Sequence, residues 1–283
     1  MAWERIRKLL SSRDADRIAS VVIWVCVCMV GLAALHFGRR VLVCDQFVIR
    51  GVSMTPTFAS GQRVWVRKYL MGPRIYTRFK FEEGEPLRCI RLPGFRRLRA
   101  GDIAVFNSPE GWENSHVVTF QVNYVYAKRC LGAPGDTVGA QKGHYYSTGA
   151  DPVGIPVKQE AVLRATPDSS LTGRGLEAGQ FAGLHGQWTI RDFGPLVVPE
   201  KGMTVPLDSM GVRLYAKSIC YETGTRPEWS QGQAWLNGRA LSEYTFQKNW
   251  YFFVGDHIVD SRDSRYLGFV PEEFVVGIVA EGR

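Results

Sequence analysis

Apolar and polar positions along the chain form one long uninterrupted run and many short alternating ones. The long run, Ile18 to Phe37 (IASVVIWVCVCMVGLAALHF), holds no acidic side chain and, apart from the weakly basic His36, no basic one. Roughly 20 apolar residues is the length a helix needs to cross a bilayer core. Residues 18–37 are therefore predicted to be a transmembrane helix, preceded by a short segment, 1–17. Downstream, Cys44–Arg50, Gln62–Arg67, Asp102–Phe106, Phe120–Arg129, Trp250–Val254 and Phe274–Ala280 are short, rich in β-branched and aromatic residues and bounded by turn formers. They predict strands. In Trp235-Leu236-Asn237-Gly238-Arg239 an Asn-Gly pair between apolar residues predicts a tight hairpin turn.

Composition supports the β reading, because 30 glycines and 14 prolines are spread along the 283 residues rather than clustered. The fold class expected is mainly β. The transmembrane helix is followed by an antiparallel β domain built from 45–139 and 248–280, into which a second β domain, 140–247, is inserted. That insert is rich in turns such as Thr172-Gly173-Arg174-Gly175 and Phe193-Gly194-Pro195.

Charge adds an orientation. The formal net charge is +8, but the basic residues are not interleaved with an aromatic recognition motif, so nucleic acid is not an expected partner. Arg5, Arg7, Lys8, Arg13 and Arg17 precede the apolar run, and only Arg39 and Arg40 follow it closely. Basic residues are retained on the cytoplasmic side, which predicts a cytoplasmic N-terminus and a bulk domain on the outer side of the cytoplasmic membrane. A second basic stretch holds Arg74, Arg78, Lys80, Arg88, Arg91, Arg96, Arg97 and Arg99. It reads as a solvated loop or as a contact for anionic lipid headgroups. Cys26 and Cys28 lie within the apolar run, leaving Cys44, Cys89, Cys130 and Cys220 in a compartment where disulfides form. Their pairing is not readable. The histidines (36, 116, 144, 185 and 257) are scattered and no cysteine pair has zinc-site spacing, so neither a metal nor a cofactor is expected.

Three separated stretches carry chemistry: Gly51-Val52-Ser53-Met54-Thr55-Pro56-Thr57, Tyr126-Ala127-Lys128-Arg129-Cys130-Leu131-Gly132-Ala133-Pro134-Gly135-Asp136, and the segment from Gly255-Asp256-His257-Ile258 through Ser261-Arg262-Asp263-Ser264-Arg265 to Pro271. In order and spacing they resemble the type I signal peptidases, and Arg99-Ala100-Gly101-Asp102-Ile103-Ala104-Val105-Phe106 is similar to a fourth family segment. The resemblance covers about 45–139 and 248–280. It implies a membrane-bound serine endopeptidase with Ser53 as nucleophile and Lys128 as general base, acting on exported preproteins close to membrane lipid and the secretion translocon. It also implies that the Ser261 hydroxyl positions the lysine amine, and that Asp263 and Arg265 form a charged network for which Arg129 is a further candidate. Small side chains, usually Ala-x-Ala, are implied ahead of the cut, with Met54 and Tyr126 as candidate substrate contacts.

A serine–lysine pair makes a demand that a histidine does not. A neutral amine can take a hydroxyl proton, but at its ordinary pKa, near 10.4, a lysine is almost wholly charged at neutral pH. Burial must depress it. Val125, Tyr126, Ala127 and Leu131 supply apolar surroundings, and on a strand Lys128 shares a face with Tyr126 and Tyr124 while Arg129 points the other way. The chain departs from the family pattern at Gly51, which lacks the hydroxyl that many members offer a developing oxyanion. It departs again at His257-Ile258, where Asn-Arg is common, and at Leu267, where Trp is common. These departures keep open a catalytically silent assembly or binding protein of the same fold. A self-cleaving regulator with a Ser–Lys pair is disfavoured by the apolar run.

Overall fold

The computed structural model describes residues 12–78, 86–110, 117–178, 180–184 and 188–280. Arg5, Arg7 and Lys8 of the orientation argument, Lys80 of the basic stretch, and His116 and His185 lie outside the described residues.

Helix α1 spans Ser12–Gly38 and continues through a π-helical turn, Arg39–Val43. Over Asp14–Val43 the most apolar window has a mean hydropathy of 2.7 and none of it is buried against the rest of the protein. A helix that is apolar on all sides and uncovered fits a membrane anchor. Its exit is tied to the body of the protein. Arg40 pairs with Asp45 at 2.9 Å, Lys68 donates to the Arg40 carbonyl at 2.6 Å, and the Arg39 guanidinium lies 5.4 Å from the centre of the Trp65 ring.

The body is built on a seven-stranded antiparallel sheet. Its strands are β1 (Cys44–Val48), β2 (Arg63–Arg67), β3 (Ile103–Asn107), β4 (Val125–Gly132), β5 (Trp250–Val254), β6 (Val270–Pro271) and β7 (Val275–Val279), ordered β1-β2-β7-β3-β4-β5-β6. Strand β2 alternates strictly, with Val64 and Val66 buried and Arg63, Trp65 and Arg67 exposed, as one covered face requires. The central strands β3, β5 and β7 are buried at every position, because a core lies on each side of the sheet. The smaller core gathers Ile49, Met54, Phe58, Val64, Val66, Ile103, Val105, Val276 and Val279.

Five of the six predicted sheet strands lie within about two residues of the observed ones. The segment Phe120–Arg129 does so only in its second half. Before Val125 the backbone is a loop, buried at Phe120 and exposed from Val122 to Tyr124, held by Asn107 Nδ2 donating to the carbonyls of Gln121 and Val122 (2.9 and 3.1 Å), with Phe120 packed edge-on against Phe274 at 5.2 Å. Three residues of the basic stretch differ from the expectation of a solvated or lipid-facing loop, while Arg78, Arg88, Arg97 and Arg99 are exposed. Arg74 donates to the Glu273 carbonyl and Asn107 Oδ1, and Arg91 to the carbonyls of Gly72, Glu272 and Val275. Arg96 grips Asp102 through both terminal nitrogens at 2.6 and 2.9 Å. Arg74 and Arg91 stitch the loop to the sheet, satisfying carbonyls that would otherwise be buried unpaired, and Arg96 ties the loop to the turn before β3.

Between β4 and β5 the chain forms a three-stranded sheet (Thr137–Gln141, His144–Ser147 and Phe193–Val197), a two-stranded one (Thr204–Pro206 with Glu243–Thr245), and a hairpin sheet over Glu228–Leu241. Asn237 and Gly238 turn that hairpin with φ of 52° and 72°, the left-handed pair a two-residue turn needs. The segment also carries helices, Val157–Ala165 and α2 (Ser209–Thr223). It shares its core with the sheet: Phe193 stacks on Phe252 at 6.3 Å, and Tyr215 on Phe269 at 5.9 Å. The six cysteines are free thiols, and Cys130 is fully buried.

Candidate active site

Ser53 sits on the turn that follows Arg50, half-buried at the mouth of a cleft. Gly51 takes φ +78° there, and a Cβ would meet nothing within 4 Å, so backbone conformation rather than space calls for glycine. The turn is closed by Thr55 N donating to the Val52 carbonyl and Phe58 N to the Met54 carbonyl, both at 2.9 Å.

Lys128 lies on β4 and is only 2% exposed. Its Nζ donates to Ser53 Oγ and stands 5.5 Å from the centre of the Tyr126 ring. Tyr126 in turn meets Tyr124 edge-on at 5.3 Å, the shared face that strand alternation predicts. Burial pushes the Lys128 pKa down to about 8, against the pull of Asp263, Asp256 and Asp260 and with help from the Arg265 charge. At pH 7 a group with that pKa is neutral in roughly one molecule in ten, against roughly one in three thousand for an unperturbed lysine. A neutral amine bonded to a hydroxyl can accept its proton as the oxygen attacks a carbonyl.

The third motif wraps over this pair and fixes it. His257 N donates to the Ser53 carbonyl at 3.1 Å, and Thr55 Oγ1 lies 3.3 Å from His257 Nδ1. Among the described residues no hydrogen bond joins the His257 ring to the Ser53 hydroxyl, so a histidine triad is not assembled. Gly255 permits the convergence: a Cβ there would stand 2.1 Å from Ser261 Oγ and 2.5 Å from the Ser53 carbonyl oxygen. The Ser261 hydroxyl is buried beside Asp263, whose carboxyl pKa it helps to hold down, and among the described residues no hydrogen bond joins it to Lys128. The bond to Lys128 that the resemblance implies is therefore not formed in this conformation.

Asp263 and Arg265 are fully buried and form a two-pronged pair, Nε to Oδ1 at 2.8 Å and Nη2 to Oδ2 at 2.7 Å. Asp263 Oδ2 also accepts from Gly255 N at 2.8 Å, and Arg265 Nη1 reaches Tyr145 OH at 3.0 Å. Burial would raise the Asp263 pKa, but the Arg265 guanidinium, with Lys128 beyond it, holds the carboxyl below its ordinary value.

Arg129 does not join that network. It makes its own two-pronged pair with the buried Asp256, both bonds at 2.7 Å, and donates to the Gly101 carbonyl at 2.8 Å. Thr57 Oγ1 donates to the same Asp256 carboxylate, so Asp256 binds the serine turn, the lysine strand and the third motif together. Sequence reasoning alone does not single it out; its one signal is its place in a motif with other aspartates in reach. Two of the family departures, Ile258 and Leu267, are 1% and 2% exposed and pack as core.

The cleft measures about 460 Å³. Its walls are residues 46–50 on one side and 123–128 on the other, and Met54 and Val105 lie between them. Met54 is 1% exposed and belongs to the smaller core while bordering the cleft, so it forms its floor. Tyr126 lines the wall beside Lys128.

Comparison with known proteins places this geometry. The family "Signal peptidase, peptidase S26" matches residues 20–281. Relatives include "Signal peptidase I P" of Bacillus subtilis subsp. natto, 25% identical over 66% of this chain and 74% of that protein. "Signal peptidase I" of Buchnera aphidicola subsp. Schizaphis graminum is 23% identical over 85% of this chain and 68% of its own. Its counterpart from the Baizongia pistaciae strain is 22% identical over 86% and 70%. The chain belongs to the type I signal peptidase family of serine peptidases.

Proposed function

We propose that this protein removes signal peptides from exported preproteins by nucleophilic attack of Ser53, with Lys128 as its general base. The hydrogen bond between Ser53 Oγ and a buried lysine with its pKa pushed down to about 8 carries the reading. In the acylation step the Oγ–carbon bond forms, Lys128 Nζ takes the hydroxyl proton, and that proton passes to the departing amine as the peptide bond breaks. Water, deprotonated by the same lysine, then releases the acyl group. The Ser53 backbone N–H is the natural donor to the oxyanion. Ser261 is a positioning residue that can accept from Lys128 once the serine proton has moved.

The cleft suits an extended peptide. Strand β4 pairs with β5 only from Arg129 onward, and among the described residues β1 pairs only with β2. Their unpaired edges face each other across the cleft, which supports strand addition: backbone hydrogen bonds supply affinity without demanding sequence. A floor of Met54 and Val105 leaves shallow room for small side chains and excludes large ones by overlap. The rim carries exposed Val48, Val52, Val122, Tyr124 and Val125. Together with the anchor this favours a site held against the membrane, where signal peptides are presented. The basic residues ahead of the span favour a cytoplasmic N-terminus and a catalytic domain on the outer side.

The test is cleavage of a detergent-solubilised preprotein bearing an Ala-x-Ala site by wild type, Ser53→Ala and Lys128→Ala, with product termini read by mass spectrometry and each variant checked for folding. Cleavage after the second alanine by wild type alone is expected. Cutting by folded Ser53→Ala would remove Ser53 as nucleophile, and an inert wild type would favour a silent binding protein.

A further inference from the structure

His257 takes no part in the Ser53–Lys128 pair, yet it touches the serine turn twice. Its backbone N–H donates to the Ser53 carbonyl at 3.1 Å, and its ring Nδ1 stands 3.3 Å from Thr55 Oγ1. Thr55 Oγ1 also donates to the Val52 carbonyl at 2.8 Å. A threonine hydroxyl has a single hydrogen, and a carbonyl oxygen can only accept, so that hydrogen is committed to Val52. Towards the ring the Thr55 oxygen is therefore the acceptor, and Nδ1 carries a hydrogen. A neutral imidazole has one N–H, which this contact assigns to Nδ1; the imidazolium keeps it, so the bond survives protonation of the ring. The Thr55 backbone N–H donates to the same Val52 carbonyl at 2.9 Å, so both lone pairs of that oxygen are engaged inside the turn.

This chain of bonds ends on the nucleophile's own amide. Val52 C=O and Ser53 N–H belong to one rigid planar peptide unit, and holding the oxygen fixes the direction of the N–H. That N–H donates to no acceptor among the described residues, and Gly51 brings no side chain that could share an oxyanion with it. We propose that His257 is a positioning residue for the oxyanion donor: its Nδ1–H holds Thr55, Thr55 holds the Val52 carbonyl, and the Val52–Ser53 peptide thereby presents its N–H in a fixed orientation to the tetrahedral intermediate. The inference rests on the peptidase reading and deepens it. A donor preset for a developing oxyanion acts in the transition state rather than on bound substrate, so its loss appears in kcat and not in KM.

Asparagine and glutamine separate the two ring nitrogens, because the Asn amide nitrogen occupies the place of Nδ1 along the side chain and the Gln amide nitrogen that of Nε2. Full-length wild type, His257→Ala, His257→Asn and His257→Gln are assayed in detergent on the Ala-x-Ala preprotein, with Tm read for each. His257→Ala is expected to lose about tenfold to a hundredfold in kcat with KM within about twofold of wild type. His257→Gln should resemble it, and His257→Asn should recover most of the lost rate. In denaturant melts the effects of His257→Ala and Thr55→Val should be non-additive, since the two residues share one bond. If wild type cleaves and His257→Ala matches its kcat, if the loss lies in KM alone, if Gln rescues where Asn does not, or if the cycle is additive, the proposal is overturned while Ser53 and Lys128 keep their roles. An inert wild type overturns the peptidase reading itself, and the role of His257 with it. Should His257→Ala not fold, the comparison of Asn with Gln decides.

Discussion

Replacing Lys128, the proposed general base, should make the protein more stable at neutral pH. Lys128 is 2% exposed, and burial lowers its pKa from 10.5 to about 8. A tenfold change in a proton-binding equilibrium corresponds to about 1.4 kcal/mol, so the folded state carries a penalty of about 3 kcal/mol for holding this ammonium. The sign follows from proton counts. Between pH 8 and 10.5 the unfolded chain binds more protons at this residue than the folded one, so stability rises with pH across that window. Below pH 8 both states are protonated and the penalty is present in full; above 10.5 it is gone. Lys128→Met fills similar space without a charge, and is expected to be more stable than wild type by up to about 3 kcal/mol at about pH 7. The gap should close as pH rises from 8 to 10.5. Denaturant melts of both proteins at half-unit pH steps measure it, and the similarly lowered pKa of Lys217 cancels because both proteins contain that residue. A difference independent of pH, or a less stable variant at neutral pH, would refute the claim that burial depresses this lysine.

Other consequences are narrower. The logarithm of kcat/KM should rise with unit slope at low pH and level off at about pH 8, the value for Lys128 in the free enzyme; a midpoint near that of an ordinary histidine, about 6.5, would point to His257 instead. Gly255→Ala places a methyl group 2.1 Å from Ser261 Oγ and 2.5 Å from the Ser53 carbonyl oxygen, so it should cost about 1–3 kcal/mol in urea melts and abolish cleavage. An active, equally stable variant would contradict the close approach. Asp256→Asn and Arg129→Met should each cost about 3–5 kcal/mol by stranding a buried charge. The double variant should cost much less than their sum, and additivity in the cycle would show that the pair is not coupled.

What can be read from sequence divides according to the range of the interactions involved. The anchor and the sheet strands are legible because their signals are local: an unbroken apolar run in 18–37, and alternation such as Arg63-Val64-Trp65-Val66-Arg67. Helix α2 is legible in principle, since Asp208 caps it by accepting from Gly211 N at 2.7 Å and Gly224 ends it in a left-handed turn. Those signals are lost in a segment whose many turns argue for β structure throughout. The start of β4 is not legible, because the apolar run from Phe120 is satisfied by packing on Phe274, a residue more than a hundred positions away.

The charged partners illustrate the same limit more sharply. Asp256, Asp260 and Asp263 lie within eight residues, and nothing local decides which of them takes Arg129. The decision is made by register. Arg129 is the residue of β4 that pairs with Val254, two positions before Asp256, while Asp263 is already held by Arg265 within its own turn. Each arginine thus neutralises the carboxylate nearest along its own path, and Lys128 is left as a buried cation beside Ser53 without an ion pair among the described residues. Pairing Lys128 with either carboxylate would have raised its pKa and kept it protonated. The two Arg–Asp pairs therefore act on the site by what they withhold: by occupying Asp256 and Asp263 they leave burial to dominate, which keeps the amine partly neutral at physiological pH.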